Sequence, residues 1–116
     1  MDEAASSLKK NLKERGFGVL WQLNFKDKLK EKGLKLENDY LVFEVCNPKQ
    51  AKEMLEFDPH VGSVLPCKMT LRRENGKTYI GMTSPEVLIG LFKNSELDAI
   101  AKRLTASLVE SIEASL

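Results

Sequence analysis

Apolar positions recur along the chain with a period that changes about every dozen residues, and each change marks an element. Residues 3–15 place Ala5, Leu8 and Leu12 on one helical stripe, and Gly16 follows as the residue that ends a helix in the left-handed region. From residue 17 the period becomes two. Phe17, Val19, Trp21, Leu23 and Phe25 alternate with Gly18, Leu20, Gln22 and Asn24, which predicts a strand with one strongly apolar face. Asn24 has the chemistry of an N-cap, with Asp27 three residues on. A short helix to Lys32 then turns Phe25 and Leu29 inward, and Gly33 closes it. Residues 40–46 alternate again: Leu41, Phe43 and Val45 form one face, and Tyr40, Val42, Glu44 and Cys46 the other.

Asn47-Pro48 reads as a cap followed by a first helical residue, where proline loses no needed donor. The helix predicted there runs to about Phe57, buries Ala51, Met54 and Leu55, and stops at Asp58-Pro59. Residues 61–74 predict the longest strand, interrupted near Pro66, which cannot donate to a ladder. Asn75-Gly76 predicts a type I′ hairpin turn pairing Glu74 with Lys77, Leu71 with Ile80 and Met69 with Met82. Both of the last two pairs are apolar and share a face, so pattern and turn agree on the register. Ser84-Pro85 opens a short helix carrying Val87, Leu88, Leu91 and Phe92. Ser95 is the expected cap of the last helix, with Asp98 in the capping-box position. Leu97, Ile100, Ala101, Leu104, Leu108 and Ile112 give that helix its apolar stripe, and Ser107, Glu110 and Glu113 its polar one.

The order α-β-α-β-α-β-β-α-α predicts an α+β fold: one domain over residues 1–116, in two layers, with a mixed four-stranded sheet and helices packed mainly on one face. The mixed sheet follows from the helices between strands, which imply crossovers. The second face of residues 40–46 is half apolar, so it is only partly covered or is covered by a second subunit. That surplus of apolar surface predicts a two-fold homodimer.

Composition narrows the function classes. At 116 residues, 42% hydrophobic and 30% charged, the chain is too apolar for disorder and long enough for one core. A net charge of +1 gives no global field toward nucleic acid or membrane. Between Lys9 and Lys35 there are nine Lys/Arg and three acids, which with Trp21 raises nucleic-acid binding. Lysines dominate that stretch, however, and solvated helix faces account for them, so no nucleic-acid partner is expected. No apolar run approaches the length of a membrane span, and Met1–Ser7 lacks the pattern of a signal peptide. The expectation is a cytoplasmic protein with reduced thiols and no membrane partner.

The chemistry reduces to two cysteines. There is no GxSxG, GxGxxG or Walker loop, His60 is the one candidate base, and no motif specifies a cofactor. Glu53 and Glu56 lie on a solvated helix face. Cys46 and Cys67 are about 20 residues apart with no CxxC, which excludes zinc ribbons and thioredoxin-type motifs. Cys46 ends a strand beside a helix N-terminus, whose partial positive charge lowers a thiol pKa, so it is the more reactive of the two. The bland alternative is a small buried apolar residue. Cys67 counts onto the face of Leu65, Met69 and Leu71, and a bulge at Pro66 would re-aim it. His60 with both cysteines would make a three-ligand soft-metal site for Cu(I) or Zn; the alternative is a solvated loop histidine.

Cys46-Asn47-Pro48, then Val61-Gly62 leading to Leu65-Pro66-Cys67 and an apolar strand, resemble the signature of the family called domain of unknown function 302. Gly16-Phe17-Gly18-Val19, Ser84-Pro85 and the long C-terminal helix extend the resemblance from about Leu8 to Leu116. Lys68 departs from it, standing where a small polar residue such as Asn often follows the second cysteine. The resemblance implies a two-layer α+β domain, commonly a homodimer, with no established activity, and a site at Cys46, Asn47, Pro48, Pro66 and Cys67. The expected function is a small dimeric binding or sensing domain with a thiol-lined pocket for a small ligand or soft metal. The alternatives are a thiol-dependent enzyme using Cys46 and an interaction module without chemistry.

Overall fold

The computed structural model describes residues 1–116. Helix α1 (Asp2–Glu14) lays Ala5, Leu8 and Leu12 into the core and ends at Gly16, whose φ of +85° is the left-handed conformation a C′ glycine supplies. Strands β1 (Gly18–Asn24), β2 (Tyr40–Cys46), β3 (Cys67–Glu74) and β4 (Lys77–Met82) form one sheet in the order β1-β2-β3-β4. Helix α2 (Phe25–Glu31) joins the first two strands. Helix α3 (Pro48–Phe57) and a 3-10 turn (Pro59–Ser63) join β2 to β3; α4 (Pro85–Gly90) and α5 (Ser95–Ala114) follow the hairpin. The fold is α+β, with helices over one face of the sheet.

Every neighbouring pair of strands is antiparallel, so the expected mixed sheet is corrected. The reason is that α3 and the 3-10 turn make an excursion that returns to the end of the sheet it left, placing Cys67 opposite Val45. No crossover is needed, because neighbouring antiparallel strands join at one end.

The core faces the helices. Phe43 and Val45 from β2 and Met69 and Leu71 from β3 are buried against Leu8, Leu12, Leu97, Ile100, Leu104 and Leu108 in one cluster. Each such side chain contributes roughly 1.5–3 kcal/mol on full burial. Helix α5 packs against α1, α3 and α4, and the Asn11 amide of α1 donates to Ser115 Oγ at 3.0 Å. Ser111 is fully buried in this apolar layer, where its hydroxyl donates to the Ser107 carbonyl at 2.9 Å. No helix is long and apolar enough to cross a membrane.

The Asn75-Gly76 turn has both residues at positive φ, 52° and 78°, as a type I′ turn requires. Its register pairs Glu74 with Lys77, Leu71 with Ile80 and Met69 with Met82, as the pattern predicts.

Other expectations shift. In β1 the register slips between Val19 and Trp21, and Leu20 is the bulged residue, 62% exposed. The five apolar residues from Phe17 to Phe25 therefore do not share a face. Val19 opposes Val45 on the helix side, whereas Trp21 opposes Glu44 and Leu23 opposes Val42 on the open side. Helix α2 buries no residue, because it lies at the sheet edge rather than in the helix layer; Phe25 instead meets Tyr40 edge-on at 5.7 Å. Only Met54 of α3 is buried, and Leu55 faces out. The strand expected from residue 61 begins at Cys67, since Pro59 and the Asp58 cap start a 3-10 turn instead. Helix α4 buries Pro85 and Ile89, leaving Val87 and Leu91 exposed. The cap of α5 is Asn94, whose Oδ1 accepts from the Glu96 and Leu97 amides at 3.0 and 3.2 Å; Ser95 is the first helical residue.

Candidate functional site

The end of β2 and the start of β3 bring the two cysteines together. Gly18 opposes Cys46, Val45 opposes Cys67, and Glu44 opposes Lys68. Asn47 caps α3, its Oδ1 accepting from the Gln50 amide at 3.1 Å, and Pro48 is the first helical residue. Both thus have structural work of their own. The Leu65–Pro66 peptide is cis, and β3 starts directly after it.

Four of the five residues named from the sequence line one small apolar void: Cys46, Asn47, Pro66 and Cys67, with Met54 and Leu104. Pro48 does not line it. Its volume is about 10 Å³, at the lower limit for a single water and far too small for a ligand. The space between the cysteines is closed packing.

Room for a ligand lies on the other side of Pro66 and Cys67. A cleft of about 460 Å³ runs between β3, the segment after the 3-10 turn, and the start of α4. That is within the usual size of small-molecule sites. Val64, Leu65, Pro66 and Leu88 make its apolar lining, and Glu44, Lys68 and Thr83 its polar one. Glu44 and Lys68 face each other across the strands yet form no ion pair with each other or with another residue. Sequence reasoning missed Glu44, Thr83 and Leu88. The antiparallel register of β2 and β3 was the signal that would have paired Glu44 with Lys68.

Burial governs the thiols. It pushes Cys46 up, the opposite of the lowering expected from the helix N-terminus. The dipole effect is modest, whereas taking a thiolate out of water is costly, so desolvation wins. Cys67 is more deeply buried and is pushed up to about 11, by burial first and by the neighbouring Cys46 second. No cation activates either thiol.

His60 stands apart. Its exposed ring lies 2.8 Å from Asp58 Oδ1, and its own amide donates to that oxygen at 2.9 Å. The His60 amide, then the ring, hold the Asp58 carboxyl below its ordinary value. No three His, Cys, Asp or Glu side chains converge on a metal-binding position, so the His60–Cys46–Cys67 set raised from the sequence is not assembled, and His60 is the exposed loop residue of the alternative.

Beside the cleft, the open face of the sheet carries a furrow of about 450 Å³. Its floor is the row Leu23–Val42–Thr70–Gly81, one residue from each strand. Trp21, Phe25 and Lys68 line its sides, and by the strand register Tyr40, Arg72 and Tyr79 form a further row on the same face, with the Arg72 guanidinium 4.7 Å from the Tyr79 ring. A Cβ at Gly81 would meet Thr70 Oγ1 at 3.0 Å, a tight contact that the glycine avoids. Lys68 and Thr83 line both furrow and cleft.

The sequence profile of the family described as "Domain of unknown function DUF302" matches residues 1–115. A crystal structure of an uncharacterized conserved protein DUF302 from Bacillus stearothermophilus is 39% identical, with a TM-score of 0.95 over 100% of this chain and 91% of that one. No curated protein matches the sequence.

Proposed function

The chain belongs to the DUF302 family, and we propose that it is a dimeric small-ligand binding or sensing domain whose site is the cleft at the start of β3. The observation that carries this reading is the cleft itself: about 460 Å³, apolar at Leu65, Pro66 and Leu88, with Glu44 and Lys68 unpaired at its rim. Cys67 contributes a neutral, polarisable wall rather than a nucleophile, because its thiol stays protonated at neutral pH. Binding therefore fits better than thiol catalysis by Cys46, which also lacks an activating cation. Two unpaired cysteines suit a reducing compartment such as the cytoplasm.

The second subunit is assigned to the open face. Trp21 is 48% exposed and Tyr79 41%, beside Leu23 and Val42. The charges on this face away from the cleft are mixed in sign, with Glu74 beside Arg72 and Lys77, so the face can meet a copy of itself without like-charge repulsion. An isologous two-fold contact needs one patch that suits itself, and an apolar face with charges of both signs meets that condition.

The test is backbone-amide NMR mapping of a small-ligand library on the whole protein. Hits that move the amides of Glu44, Leu65, Lys68 and Thr83 together support the reading; hits confined to other surfaces, or none, overturn it. Light scattering should give twice the 13.1 kDa chain mass at micromolar concentration, and a monomer mass would remove the dimer.

A further inference from the structure

We propose that the cleft selects a small zwitterion of the α-amino-acid type with an aliphatic side chain; this rests on the reading of the cleft as the binding site. Glu44 and Lys68 sit directly opposite one another on antiparallel strands, on the same face, so their Cβ atoms are roughly 4.5–5.5 Å apart. Opposite charges so placed would ordinarily pair, but no ion pair joins them. Both remain available at the rim of one cleft.

That arrangement discriminates among ligands by charge. An anion engaging Lys68 meets the Glu44 carboxylate, and a cation engaging Glu44 meets the Lys68 ammonium. An apolar neutral ligand would take water from two charges and return no hydrogen bond, and a polar neutral one would return only the weaker half of each charged pair, which costs affinity. A molecule carrying ammonium and carboxylate on one carbon satisfies both at once. Its ammonium donates to the Glu44 carboxylate, and its carboxylate accepts from the Lys68 ammonium and the Thr83 hydroxyl. Leu65, Pro66 and Leu88 form the adjacent wall and take an aliphatic side chain.

The probes are L-leucine, N-acetyl-L-leucine and L-leucine amide, titrated into the isotope-labelled full chain and followed at the amides of Glu44, Lys68 and Thr83. Leucine should shift these saturably. Removing either charge of the ligand should weaken binding about 10-fold or more, the usual worth of a charged hydrogen bond. Glu44→Gln should abolish the preference for leucine over its N-acetyl form, and Lys68→Met the preference over the amide. Equal binding of the three compounds to the wild type overturns the proposal, as does a variant that keeps its preference. Isopentanol, an uncharged analogue of the side chain, separates the two readings. If it shifts the cleft and leucine does not, the zwitterion is wrong and the cleft stands; if neither shifts it, both fall.

Discussion

Raising the pH should destabilise the protein through Cys67, and the effect can be isolated by one substitution. In the folded chain burial moves this thiol from the ordinary 9.0 to about 11. Unfolded, it returns to the ordinary value. Above about pH 9 the unfolded chain sheds this proton while the folded chain keeps it, so deprotonation draws the equilibrium toward unfolding. The stabilisation is fully present below pH 9 and is lost as pH rises through 11. At about 1.36 kcal/mol per pH unit of displacement, the total comes to about 2–3 kcal/mol. Cys67 is only 8% exposed, so solvent screening takes little from this figure.

The assay is urea unfolding of the wild type and Cys67→Ala from pH 7.5 to 11.5, with a phosphine reductant. Groups common to both proteins cancel in the difference. The alanine variant starts less stable because it loses buried volume, but its curve should be flatter, and the two should converge by about 2–3 kcal/mol at the alkaline end. Parallel curves would refute the reasoning. Alkylation by iodoacetamide at pH 8 gives a second readout: a thiol at about 11 has about 100-fold less thiolate than an ordinary one. Cys46, half-buried and raised less deeply into the core, should label first.

Gly76→Val should lower stability by more than about 1 kcal/mol, since a β-branched residue resists the φ of +78° there; an unchanged urea midpoint would contradict the turn. Asn94→Ala should cost about 1 kcal/mol through the lost cap of α5, whereas Ser95→Ala should be near neutral by the same measurement. Phe17→Ala should cost about 3–5 kcal/mol and Leu20→Ala less than about 0.5, because one is buried and the other is the exposed bulge; similar losses would place both on one face after all.

Local information was the legible part of this fold. Asn75-Gly76 specifies its own backbone geometry, and the flanking apolar alternation agrees with it, so the hairpin register could be read outright. Helices α1, α3 and α5 announce themselves by apolar stripes such as Leu97, Ile100 and Leu104, and α3 also by its Asn47-Pro48 start. The direction of β2 against β3 could not be read this way. It depends on α3 and the 3-10 turn folding back to the end they left, a long-range outcome of packing at Met54 and Val61. The site was legible to the same degree. The two cysteine motifs do meet, but whether space lies between them or beside them is decided by side-chain volumes at Met54, Leu65 and Leu104.

The bulge at Leu20 shows how one unreadable residue redirects function. Because Leu20 is itself apolar, the alternation from Phe17 to Phe25 runs through it without a visible break. A one-residue slip nonetheless exchanges the two faces of everything downstream. Without it, Trp21 and Leu23 would join the core side of β1, and Gln22 and Asn24 would face out. With it, Gln22 opposes Phe43 on the helix side, while Trp21 and Leu23 bank and floor the furrow. Burial within the chain alone would favour the first arrangement for Trp21, which the slip leaves 48% exposed, while Gln22 is exposed in the observed one as well. The observed arrangement leaves an apolar patch on the open face. The same irregularity that defeats the simple reading of β1 thus puts Trp21 and Leu23 on the open face, where the proposed dimer contact would use them.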